Sequence, residues 1–159
     1  MNKNIPQERL VEIFDQLVRE VTRREAGICL APGSSEPAGE LFTVYTVFER
    51  GFNTCLSLSA EASMFVRLTQ GMMRKEDVTR RDVEDFAKEY FNVLCGHIVS
   101  RLFRETRIPA RFRPPVFQSG WYVPEDHRRQ IVLTYVGDGN ERAQLIHHAP
   151  SGEDGAQSI

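Results

Sequence analysis

The chain has 159 residues, 41% hydrophobic and 26% charged, a globular composition of a size that fits one domain with a real core. Its formal net charge of -2 lacks the basic excess of a nonspecific nucleic-acid binder, and no apolar stretch reaches the length of a membrane span. The start, Met1-Asn2-Lys3-Asn4-Ile5-Pro6, has no apolar signal core, so a cytoplasmic location is expected.

Residues 6–25 read as an amphipathic helix, with Leu10, Ile13, Phe14, Leu17 and Val21 at helical spacing and Pro6 at the tolerated first turn. Residues 27–30 are a short apolar run with strand character, followed by a Pro/Gly/Ser loop over 32–39. Residues 41–48 are dense in β-branched and aromatic residues. After a tight turn at 49–51, residues 52–58 alternate. Phe52, Thr54, Leu56 and Leu58 fall on one face, and Asn53, Cys55 and Ser57 on the other, which predicts a hairpin packed on one side. Ser59 is the expected N-cap of a short helix to about Gln70, ended by Gly71, with Met64, Phe65 and Leu68 inward.

Thr79-Arg80-Arg81-Asp82 has the form of a capping box with Asp in place of Glu, and opens the longest helix, 80–105. Pro109 forbids much continuation. Strands are expected at 111–118, 130–136 and 142–148, with a strong turn at Gly137-Asp138-Gly139-Asn140. Residues 1–149 then form one domain, and 150–159, small and polar, read as a disordered tail. The fold class is α+β: a largely antiparallel sheet with two central helices packed on one face. Cys29, Cys55 and Cys95 include no CxxC pair, which argues against a disulfide framework or a zinc site. His97, His127, His147 and His148 read as surface histidines, the last two pointing to opposite faces of a strand.

On a helical wheel, Ala87, Phe91, Leu94, Ile98 and Leu102 form a core stripe. Asp85, Glu89, Asn92 and Gly96, at i, i+4, i+7 and i+11, fall on the far side as a row down one exposed face. Helix stability does not explain that row. Asn is a mediocre helix former, and a mid-helix Gly costs roughly 1 kcal/mol relative to Ala. A glycine there removes bulk and lets a partner come close beside Glu89 and Asn92.

The segment Asp85-Phe86-Ala87-Lys88-Glu89-Tyr90-Phe91-Asn92-Val93-Leu94-Cys95-Gly96 resembles the signature of the CheC/CheX/FliY-type chemotaxis phosphatases: an acidic residue, Glu-x-x-Asn, then a glycine four residues on, all on a long helix. The hairpin before the helix near Ser59, and Arg113-Pro114-Pro115-Val116-Phe117-Gln118-Ser119-Gly120 after the long helix, are also similar to the family's pattern. A single Glu-x-x-Asn makes CheX the nearer comparison, a one-site subunit that pairs into a homodimer. Two departures stand out. Tyr90-Phe91 is bulkier than the usual pair between Glu and Asn, and Pro115 stands where Thr is common.

The resemblance implies hydrolysis of the phospho-aspartate on a CheY-like receiver domain of a two-component or chemotaxis pathway. Glu89 and Asn92 would be the catalytic pair, Asn92 orienting water and Glu89 pairing with a receiver lysine. Asp85 and Gly96 would be partner-binding. No cofactor is expected in this chain, since the Mg ion would belong to the receiver, and neither nucleic acid nor membrane is an expected partner. The chemistry suits these residue types. An acyl phosphate is already activated, so the catalyst needs chiefly to hold water in line, which a carboxamide that both donates and accepts can do. The alternative reading is a non-catalytic CheX-like domain that binds a receiver or other partner and dimerises. No nucleophile-elbow Ser or Cys and no phosphate loop is present.

Overall fold

The structure is a computed structural model and describes residues 5–49, 54–124 and 129–149. Arg50 and Gly51 of the expected turn, Phe52 and Asn53 of the expected strand, His127 and the expected tail at 150–159 lie outside the described residues. Helix α1 spans Gln7–Ala26. Strand β1 (Leu30–Pro32) follows, then β2 (Leu41–Glu49), β3 (Cys55–Glu61), α2 (Ala62–Met73) and α3 (Arg80–Thr106). The remaining strands are β4 (Arg111–Phe112), β5 (Val116–Ser119), β6 (Arg129–Gly137) and β7 (Arg142–Ala149). The strands form one antiparallel sheet ordered β1-β6-β7-β3-β2-β4, with β5 also paired to β2.

The two central helices, α2 and α3, pack together on one face of this sheet as expected, and α1 joins them there. α2 reaches it through Phe65, whose ring meets Phe42 and Phe117 at 6.3 and 5.9 Å. α1 covers the β6–β7 side, where Phe14 lies 5.2 Å from the His147 ring and Tyr135 donates to Asp15 at 2.6 Å. α1 runs antiparallel along α3. Arg9 binds Glu105, Arg101 donates to Gln16 at 3.2 Å, and Thr22 meets the Tyr90 hydroxyl at 2.6 Å.

Several local expectations are corrected. Ser59 does not cap α2. It is buried in β3 and bonded to Thr43 at 2.6 Å, because pairing with β2 and β7 carries the strand through to its end. Glu61 is the N-cap residue, and its carboxylate instead accepts from the Ala38 amide at 3.1 Å and from Arg142 at 2.7 Å. Gly71 does not end α2 either. It sits inside the helix where a Cβ would fall 3.0 Å from the Ala26 carbonyl carbon and closer to its oxygen, so the glycine lets the end of α1 abut α2. The strand expected at 111–118 is divided into β4 and β5 by Pro114 and Pro115, which cannot donate to the ladder.

The one-sided hairpin is also wrong. Every residue from Cys55 to Ala60 is buried, because β3 is a central strand covered on both faces. Leu56, Leu58 and Ala60 join the core under the helices. On the second face, Tyr122 stacks on Tyr45 at 3.7 Å and reaches Cys55 Sγ at 3.8 Å. His147 and His148 are not surface residues. β7 lies between β3 and β6, so His147 packs under α1 while His148 meets Ser57 Oγ at 3.1 Å on the opposite face, as alternation requires. His97 is exposed, 3.1 Å from Arg24.

Candidate functional site

The long helix begins as its capping sequence dictates. The Thr79 hydroxyl accepts from the Asp82 amide at 3.0 Å, and the Asp82 carboxylate accepts from the Thr79 amide at 2.9 Å. Two orphan donors are satisfied together, an arrangement typically worth about 1 kcal/mol. This sets the phase of everything downstream. Ala87, Phe91, Leu94, Ile98 and Leu102 are buried as expected, and Val83, Tyr90, Cys95 and Thr106 widen the stripe.

Tyr90 and Phe91 both point into the core. Their bulk is therefore absorbed between α3, α1 and the sheet rather than beside Glu89 and Asn92. Burial pushes the Tyr90 phenol well above its ordinary range, partly offset by the bond to Thr22, so it is a neutral anchor. Burial likewise pushes the Cys95 thiol well up, which removes it as a nucleophile.

The opposite side of α3 carries the row. Asp85, Glu89 and Asn92 are exposed and Gly96 is half-buried. Glu89 and Asn92 are three positions apart, so their side chains leave the helix as neighbours about one turn apart. Neither side chain makes a hydrogen bond or ion pair with another described residue, whereas the charges around them do. Lys88 pairs with Glu84 at 3.4 Å and Arg81 with Asp85 at 3.8 Å. Lys88 is thus turned toward Glu84 and is not the partner of Glu89. At Gly96 a Cβ would meet nothing within 4 Å, so nothing in the chain's own packing requires a glycine.

Other groups offer less. Ser57 and His148 are hydrogen-bonded but are 1% and 0% exposed, closed to any substrate. Glu141 is buried, which alone would raise its carboxyl pKa. Hydrogen bonds from Arg67 and from the Gly139 amide outweigh this and hold it below the ordinary range, stapling α2 to the β6–β7 turn. Among the described residues no group of His, Cys, Asp and Glu is arranged to hold a metal ion. Likewise, no helix is long and apolar enough to cross a membrane. Two surface depressions of about 450 and 470 Å³ lie beside Pro32 and Tyr135, and beside Asp15 and Cys29, and neither includes a residue of the α3 row. The row lies on the solvent side of α3, outside both depressions.

No family model and no curated protein sequence matches this chain. Solved structures do. CheX from Desulfovibrio desulfuricans superposes with a TM-score of 0.71 and 16% identity, covering 87% of this chain and 97% of that one. CheX from Borrelia burgdorferi, solved as a complex with CheY, BeF3 and Mg, gives 0.70 and 12%, covering 87% and 96%. Thermotoga maritima FliY gives 0.64 and 12%, covering 94% and 92%. At these identities what is shared is the fold: the chain has the α+β fold of CheX, CheC-like and FliY proteins.

Proposed function

We propose that this chain is a phosphatase for the phospho-aspartate of a CheY-like receiver domain, working in the cytoplasm in chemotaxis or another two-component pathway. The observation that carries this reading is the unengaged Glu89–Asn92 pair on the exposed side of α3, in a chain with the CheX fold. The solved pairing of a CheX with CheY supports the choice of partner.

In this reading α3 lies across the receiver's phosphorylation site. Asn92 is the catalytic residue. Its carboxamide oxygen accepts from a water and its amide donates to a phosphoryl oxygen, which holds the water opposite the leaving carboxylate. The water oxygen bonds to phosphorus as the phosphorus–carboxylate bond breaks. The water proton passes to the departing phosphate, and the receiver aspartate is left ionised. The Mg ion that neutralises the phosphoryl group belongs to the receiver, and this chain supplies no ligand to it. Glu89 pairs with a receiver lysine and fixes the register in which Asn92 meets the water. Asp85 lies at the rim, and Gly96 gives clearance.

The test is decay of phosphorylated receivers, taken one at a time, with and without the protein. Faster decay of at least one is expected. Binding without acceleration of any would replace the enzyme by a receiver-binding domain. Glu89→Ala is expected to weaken binding to a beryllofluoride-loaded receiver by about tenfold, the loss of one charge-assisted hydrogen bond. An unchanged Kd in a binding titration would remove the docking role of Glu89.

Self-association is part of the proposal. Val132 is 41% exposed on the sheet face away from the helices, and Val116, Trp121 and Val123 are exposed in β5 and the segment after it. Pairing of two chains through this side leaves both α3 faces free. Light scattering is expected to give the mass of two chains, and a one-chain mass at every concentration would exclude the homodimer.

A further inference from the structure

The α3 row does not stop at Gly96. Phe103 is 41% exposed, and the other large exposed apolar side chains among the described residues belong to the sheet or the segment after β5. At about 100° per residue, Phe103 returns to the same side of α3 as Asp85 and Gly96, roughly 16 Å along the axis from Asn92. That separation lies well within one protein–protein interface of ordinary size, about 800 Å² per partner.

Charge changes along the row. Toward its N-terminal end Asp85 is paired with Arg81, and Glu89 carries a negative charge with no ion-pair partner among the described residues. Arg104 and Arg107 flank Phe103, and the Arg107 guanidinium lies 5.8 Å from the ring centre. An anionic lipid surface or a nucleic acid would be drawn to one end and repelled by the other. A folded protein with a cation facing Glu89 and carboxylates around an apolar depression facing Phe103 fits both. The open space at Gly96 lets one such partner lie flat across the interval.

Resting on the phosphatase reading, we infer that Phe103 is a specificity-determining residue: an aromatic anchor inserted into an apolar, carboxylate-rimmed depression on the receiver, away from the phosphoryl group. Buried aromatic anchors carry a disproportionate share of interface affinity, and one at this distance contributes to recognition and not to the chemical step.

The experiment is steady-state turnover of a phosphorylated receiver by the wild-type chain, Phe103→Ala and Phe103→Leu. The expected result is a KM raised at least fivefold for Phe103→Ala with kcat within twofold, and most of the affinity retained by Phe103→Leu. A wild-type KM in Phe103→Ala overturns the inference while leaving the phosphatase reading intact, as does a fall in kcat at constant KM. Absence of turnover by the wild type with every receiver overturns the reading on which the inference rests. Phe103 is outside the buried core, and matching melting curves for the three proteins show that the comparison is between folded chains.

Discussion

Asn92→Ala is expected to return receiver dephosphorylation to the receiver's own rate, a loss of about a hundredfold or more in the protein's contribution. The size follows from what Asn92 is proposed to supply. Placing one water in line removes most of the orientational freedom of the attacking group, and loss of a positioning contact of this kind typically costs about two orders of magnitude. The substitution leaves the fold alone. Asn92 is exposed, its side chain has no partner among the described residues, and Ala is the better helix former by up to about 0.7 kcal/mol. Stability is therefore expected to hold or rise slightly, and binding of a beryllofluoride-loaded receiver to stay near the wild-type value. Phospho-receiver decay, a thermal melt and a titration measure the three quantities. Equal decay with wild type and variant would end the catalytic assignment.

The second prediction sets two glycines against each other. Gly96→Ala is expected to stabilise the folded chain by about 0.5–1 kcal/mol, because a mid-helix glycine is replaced where the new methyl meets nothing within 4 Å. The same methyl stands on the face where the receiver must approach. A displacement of about 1 Å there is expected to lower kcat/KM for the receiver by tenfold to a hundredfold. Gly71→Ala is expected to do the reverse. Its methyl would press on the Ala26 backbone, which cannot swing away as a side chain can. The fold should lose about 1–3 kcal/mol, while activity per folded molecule is kept. Denaturant melts with receiver decay separate the cases. A Gly96→Ala chain that is both more stable and fully active would show that the glycine serves no partner.

The contrast between these glycines also shows where reading the sequence stopped. Both are glycines in helices, and the sequence offered Gly71 as a helix end and Gly96 as clearance. For Gly96 the structure adds that a Cβ there would meet nothing within 4 Å in the chain itself. The reading of Gly71 depended on where the end of α1 comes to rest, a contact between segments some 45 residues apart.

The same division runs through the molecule. The phase of α3, its core stripe and the exposure of Glu89 and Asn92 were legible because a capping box and a helical period are local. Each residue's direction follows from its neighbours in the chain. The burial of Ser57, Ser59, His147 and His148 was not legible. Small polar residues and histidines alternating along a strand carry the same pattern whether the strand is an edge or the centre of a sheet. Only the order β1-β6-β7-β3-β2-β4, with Tyr122 returning over the second face, places them inside. Tyr90 and Phe91 show the point most sharply. The sequence determined that they lie between Glu89 and Asn92 in the chain. Helical spacing already set Phe91 in the core stripe, but the packing of α1 against α3 decided that Tyr90 is buried too and the pair is left clear, because burial is a property of what lies opposite a residue and not of what lies beside it in the chain.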